Sequence, residues 1–243
     1  MDMRMIQKFG GTSVQDALRL RRAGELAAKA VGDGWQTAVV VSAQGDTTDI
    51  LLEKAETLTA CPSLREKDQL LSAGEQISAA LLAMELCRRG IPAQSLTGWQ
   101  AGIHTTGTFG DADITHIDPE MILSLWNRGI VPVVAGFQGI EDGGSVTTLG
   151  RGGSDTTAAA LAAAGSEAGL LAGRLAGGSS SGISNICSRF PGSWGRGGSS
   201  GMGRRSSAGS SRLVPVLSRD TGAGFGDIPL FCGTVFIEIP LDI

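Results

Sequence analysis

Chemistry in this sequence concentrates where glycines meet charged and hydroxyl side chains. The run Thr147-Thr148-Leu149-Gly150-Arg151-Gly152-Gly153-Ser154-Asp155-Thr156-Thr157 gathers glycines, a guanidinium, hydroxyls and a carboxylate ahead of an Ala-rich segment. Glycines let backbone N–H groups approach an oxyanion with no Cβ in the way, a helix N-terminus adds partial positive charge, and Arg151 can fork onto a carboxylate or phosphate. The same residues also suit an ordinary Gly-rich turn into a helix, with Ser154 or Asp155 as N-cap. A similar junction, Lys8-Phe9-Gly10-Gly11-Thr12-Ser13, sets a lysine at a strand end and two hydroxyls at a helix entry. Its turn amides can cradle phosphate oxygens while Lys8 supplies a point charge and Thr12 or Ser13 a hydrogen bond. The lysine precedes the glycines, so this is no Walker A loop, and a solvated lysine before a tight turn is the plainer alternative. A third polar junction is Ser42-Ala43-Gln44-Gly45-Asp46-Thr47-Thr48-Asp49, where Thr47, Thr48 and Asp49 equally suit an N-cap. Glu75 follows Gly74 inside a long helical stretch. A glycine there costs about 1 kcal/mol against alanine, which implies a close neighbour, although a helix glutamate usually faces solvent.

The elements that would position these groups alternate strand and helix. Arg4 to Phe9 reads as a first strand, and Val14, Ala17, Leu18, Leu20, Ala23, Leu26 and Ala27 keep helical spacing to about Val31. Thr37 to Ser42 is a β-branched run suited to a parallel strand buried on both faces. A helix begins near Ile50, and another runs from Leu64 to Arg89, with Leu70, Leu71, Ile77, Ala80, Leu81 and Met84 as its apolar face. Ala93 to Leu96 is a short strand, and Thr97 to Asp113 a loop or hairpin over a site, carrying His104 as a weak candidate base. Pro119 opens a helix to Arg128, Ile130 to Phe137 is a buried strand, Gln138 to Thr148 a turn or hairpin, and Thr156 to Ala164 a helix. The strands are expected to form one mainly parallel sheet with its loop ends together, and the three strand-to-helix junctions, with hydroxyls and with Lys8 and Arg151 supplying charge, together suggest phosphoryl transfer.

Composition sets the limits. A formal net charge of -4 gives no general attraction for nucleic acid or an anionic membrane. No apolar run approaches the roughly 20 residues that span a bilayer, and Met1 to Ile6 does not open a signal peptide. Cys61, Cys87, Cys187 and Cys232 form no Cys-x-x-Cys pair, so neither zinc nor a disulfide framework is indicated and a cytoplasmic setting is the default. Homo-oligomerisation is left open.

Taken in order, Lys8 to Ser13, the Ser42 to Asp49 loop, Gly74-Glu75 with Ser78, Thr97-Gly98 with Gln100-Ala101-Gly102, Gly136-Phe137-Gln138-Gly139, and Thr147 to Thr157 resemble the signature blocks of aspartate kinases, over residues 3 to 164. The resemblance implies an α/β three-layer sandwich with a mainly parallel sheet, the amino-acid kinase fold. It implies ATP-dependent phosphorylation of the L-aspartate side-chain carboxylate, with Mg2+, opening the route to lysine, threonine and methionine. By the same resemblance, Lys8 and Asp155 are catalytic, Gly10, Gly11 and Ser13 complete the phosphate cradle with Lys8, and Thr48, Glu75, Arg151 and Ser154 hold aspartate. Glu75 would meet the ammonium group and Arg151 a carboxylate, Gly74 would give the substrate room, and no protein metal ligand is implied.

The pattern breaks near Ala164. Where aspartate kinases carry a Thr-Asp strand and further nucleotide-binding blocks, this chain reads Gly165-Ser166-Glu167-Ala168-Gly169, then Gly/Ser/Arg-rich sequence. The kinase domain is therefore expected to be truncated after residue 164. A frame change near codon 164 would account for this, with residues 165 to 230 poorly ordered and Phe231 to Ile239 strand-like. The alternative to a working kinase is a non-catalytic remnant that binds aspartate or a partner chain.

Overall fold

The computed structural model describes residues 3–165 and 234–238. The expectation about residues 165 to 230 lies outside the described residues from 166 onward, and Gly165 itself is buried. The order is β1 (Arg4–Phe9), a 3-10 turn (Gly11–Val14), α1 (Ala17–Gly32), β2 (Gln36–Val41), α2 (Thr47–Leu58), α3 (Leu64–Arg88), β3 (Ala93–Leu96), β4 (Ile103–Thr105), β5 (Ile114–Ile117), α4 (Glu120–Asn127), β6 (Val131–Ala135), β7 (Gln138–Ile140), β8 (Val146–Thr148), α5 (Gly153–Ala164) and β9 (Thr234–Glu238).

The main sheet has strand order β3-β6-β2-β1-β9, and every pair in it is parallel. Its central strands are buried on both faces, as their β-branched composition demands. On one face Phe9, Val39, Val41, Val133 and Ala135 pack against Ala23, Ala27, Leu82 and Leu86 of α1 and α3. On the other, Ile6, Ala38, Val40 and Val134 meet Leu125, Trp126, Ala158 and Leu161 of α4 and α5. The result is helices, sheet, helices in three layers. Trp126 secures the second interface, its indole Nε1 donating to the Thr37 carbonyl at 3.0 Å while the Arg4 guanidinium lies 5.5 Å from its ring. The Phe231 to Ile239 run forms β9 over Thr234–Glu238, which covers the edge of β1 from Arg4↔Thr234 to Lys8↔Glu238.

One sheet was expected, but there are two. Residues of the expected loop and hairpin regions form a second sheet of order β5-β4-β7-β8, in which only the β4–β7 pair is parallel. Its strands are three or four residues long and rich in Thr, His, Gln and Gly, too short for alternation to announce them.

Helix α3 departs further from expectation. Of its supposed apolar face only Leu71 is buried, while Ile77, Leu81 and Met84 are exposed. The buried face instead holds Asp68, Ser72, Glu75, Ser78, Ala79, Leu82 and Leu86. Apolar residues occur all round this helix, so polar partners decide its rotation. Asp68 accepts from the Gly110 amide at 2.9 Å, the Thr148 amide at 2.8 Å and the Thr148 hydroxyl at 2.7 Å. By length and mean hydropathy α3 is of the kind that could cross a membrane, as core helices of folded domains also can be, and 56% of its most apolar window is buried within the fold.

Candidate active site

Lys8 is the penultimate residue of β1, near the C-terminal end of the main sheet and on the face that packs against α5. Lys8 is 5% exposed, and its Nζ lies 2.6 Å from Asp155 Oδ1. Asp155 sits in the first turn of α5, where Gly152 is the N-cap, in the left-handed region at φ 77°. Neither Ser154 nor Asp155 caps the helix, so the plain N-cap reading of those residues does not hold. Their side chains are free for other work: Asp155 reaches the lysine, and Ser154 is buried against the end of β6, 2.8 Å from where a Cβ on Gly136 would lie. The solvated-lysine alternative also fails, since a buried ammonium needs a paired charge.

The cradle beside Lys8 is built by contact between two loops. A Cβ on Gly11 would lie 2.7 Å from the Ala43 carbonyl oxygen, so only glycine permits the approach, which the Gly45 amide seals by donating to Gly11 O at 3.0 Å. Gly10 lies directly beneath the lysine, a Cβ there falling 3.6 Å from Nζ. Ser13 is buried in the 3-10 turn, its amide donating to Gly10 O at 2.9 Å.

Ala43 links this cradle to α3. Its amide donates to Glu75 Oε1 at 3.1 Å, while Glu75 Oε2 is buried with no partner among the described residues. Glu75 is 4% exposed, which overturns the solvent-facing reading. Burial pushes its carboxyl up to about 7, against the opposing pull of its own amide and that of Ala43. Gly74 does not make room for substrate: a Cβ there would lie 2.9 Å from the Ala43 Cβ, with Thr47 and Leu51 next. The missing side chain lets α3 close on α2 and so fixes Glu75 under the β2–α2 loop.

Thr48 is half-buried in the first turn of α2. The N-cap of that helix is Asp46 rather than Thr47, Thr48 or Asp49, and Thr47 Oγ1 donates to Gln44 O at 2.6 Å. Arg151 is exposed and has no ion pair among the described residues. The structure thus joins Lys8 to Asp155, and Glu75 through Ala43 to Gly11, while half-buried Thr48 and exposed Arg151 have no side-chain bond to either group among the described residues.

A family model for the amino acid kinase family matches residues 3–169. The chain belongs to the amino acid kinase family. It is 52% identical to an aspartokinase of Geobacillus stearothermophilus over 160 residues, 66% of this chain and 39% of that protein. It is likewise 52% identical to an aspartokinase of Mycobacterium tuberculosis over 161 residues, 66% of this chain and 38% of that one. Among solved structures, aspartate kinase from Synechocystis matches at a TM-score of 0.55 and 43% identity, over 66% of this chain and 26% of its own. E. coli aspartokinase III in complex with aspartate and ADP matches at 0.55 and 26% identity, over 65% and 46%. The chain therefore spans about two-fifths of the length of the curated relatives it matches.

A buried lysine beside glycine turns and a helix N-terminus offers donors of the kind a phosphate would need, with Asp155 already paired to that lysine. For a metal ion, no group of three or more His, Cys, Asp or Glu side chains is gathered among the described residues. Mg2+ brought in on phosphate oxygens, its usual mode, would need no such group.

Two contributors escaped the sequence reading. Asp68 ties the β4–β5 connection and β8 to α3, placing Asp111 against Gly150 beside Arg151. Its spacing of seven from Glu75 puts both on one helical face, a signal that was there to use. Phe137 takes φ 67°, and its amide donates to Thr157 Oγ1 at 3.1 Å. It turns β6 toward β7 at the head of α5, and no local composition marks a phenylalanine for that conformation.

Proposed function

We propose that the described residues form the aspartate-binding and phosphoryl-contacting half of an aspartate kinase, which transfers a phosphoryl group from ATP to the side-chain carboxylate of L-aspartate, giving 4-phospho-L-aspartate. The observation that carries this reading is the buried Lys8 ammonium, paired at 2.6 Å with the half-exposed Asp155 carboxylate over the Gly10-Gly11 turn. The complex of E. coli aspartokinase III with aspartate and ADP supports the same pairing of ligands here. Such a product belongs at the entry to lysine, threonine and methionine synthesis, in the cytoplasm.

A carboxylate nucleophile is already ionised at neutral pH, so no general base is needed to activate it. Bound Mg-ATP would supply the phosphoryl group. The work left to the chain is positioning and charge neutralisation. Lys8 holds a cation at the phosphate cradle, and Asp155 fixes its direction. The amides around Gly10, Gly11 and Ser13 line the turn. Glu75, whose unpartnered oxygen is buried in the unliganded chain, would meet an ammonium group once the β2–α2 loop admits it, Arg151 would fork onto a carboxylate, and Thr48 and Ser154 would supply hydroxyls.

A second reading is a non-catalytic remnant that binds aspartate or a partner chain. The family match ending at residue 169, with Gly/Ser/Arg-rich sequence beyond, favours it. Hydroxylamine trapping of the acyl phosphate separates the two. Hydroxamate formed from aspartate and Mg-ATP by the purified chain, and abolished by Lys8→Ala, supports the kinase. A folded chain that forms none is the remnant.

A further inference from the structure

The chain has two histidines, and the fold places them directly opposite one another. His104 of β4 and His116 of β5 are an antiparallel pair, with ring centroids 5.7 Å apart and planes inclined by 36°. Their neighbours Ile103, Thr105 and Ile117 point into the core, so both imidazoles lie on the outer face of the second sheet. Neither ring has a hydrogen bond or an ion pair among the described residues. We propose that His104 and His116 chelate a divalent ion of the imidazole-preferring class, such as Ni2+, Cu2+ or Zn2+, with water completing its coordination.

The distances suit this chemistry. A metal about 2.1 Å from a ring nitrogen lies roughly 3.2 Å from that ring's centre. Two centres 5.7 Å apart then subtend roughly 125° at a shared ion, between tetrahedral and linear. The antiparallel pairing sets the two β-carbons about 5 Å apart, so only the χ1 and χ2 rotations of each ring remain to be fixed on binding. Imidazole favours late transition metals, whereas Mg2+ prefers oxygen ligands, so this site would be chemically separate from any Mg2+ that accompanies a nucleotide.

The location gives the site a structural consequence. An ion bridging the two rings staples β4 to β5, the hairpin whose connecting loop is held at Gly110 by Asp68 and reaches Gly150 through Asp111. Binding to the folded state alone then stabilises that hairpin by mass action.

The test is a calorimetric titration of the full chain with Ni2+ at neutral pH, alongside His104→Asn and His116→Asn. Both substitutions lie on the outer face and leave the core side chains in place. The expected result is one ion per chain, affinity reduced by about tenfold or more in each variant, and a Ni2+-dependent rise in melting temperature that both variants lose. Mg2+ at equal concentration should leave the melting temperature unchanged. Ni2+ binding that survives both substitutions, or no saturable binding by the folded wild-type chain, overturns the proposal.

Discussion

Glu75→Gln should stabilise the unliganded chain, and only above pH 5. In the folded state burial raises the Glu75 carboxyl from 4.5 to about 7. The folded state therefore binds this proton more tightly than the unfolded chain does, and stability falls as pH rises from about 4.5 to 7. Each pH unit is worth about 1.4 kcal/mol, so the penalty reaches about 3 kcal/mol by pH 8. Glutamine has the shape and neutrality of the protonated acid, keeps a carbonyl for the Ala43 amide, and does not titrate. Urea unfolding of both proteins at pH 5, 6, 7 and 8 isolates the effect, because every other group is common to the pair. The glutamine variant should gain little at pH 5 and up to about 3 kcal/mol at pH 8, or some 6–12 °C in melting temperature. The acid side is separate: Arg88 and then Arg89 hold Glu85 down at about 2, and stability from that group is lost only as pH falls below 4.5. A difference between wild type and variant that does not grow with pH would refute the reasoning.

Other consequences follow from single contacts. Asp68→Asn sets a donor against the Gly110 or Thr148 amide, and should cost about 1–3 kcal/mol and speed hydrogen exchange at those two amides relative to Val39. Gly11→Ala forces a Cβ to within 2.7 Å of the Ala43 carbonyl, and should lower the urea midpoint by an amount equivalent to about 1–3 kcal/mol. In an active chain, Lys8→Ala should lower the turnover of hydroxamate formation far more than it raises the KM for aspartate; the opposite split would deny the lysine its place on the phosphate.

The main sheet was legible because its strands announce themselves. Val39-Val40-Val41 and Val131 to Ala135 are apolar enough for burial on both faces, and the bounds of α3 follow from Ser63 at one end and Gly90 at the other. The second sheet was hidden because three-residue strands such as Ile103–Thr105 carry no period. The rotation of α3 was misread because apolar residues lie on every side, and the deciding bonds come from Thr148, Gly110 and Ala43, far away in sequence. At the site, glycines beside Lys8, Arg151 and Asp155 marked candidate positions locally. Which of them touch is set by parallel pairing and by α5 crossing the end of β1, and a local pattern cannot carry that.

The most direct test of the account is calorimetric titration of the full chain with L-aspartate at pH 7, beside succinate, which lacks the ammonium group. The account predicts saturable one-to-one binding of aspartate, much weaker binding of succinate, and about a tenfold or greater loss of aspartate affinity in Glu75→Gln. A folded chain that binds neither ligand, or binds aspartate equally well without the Glu75 carboxylate, contradicts it.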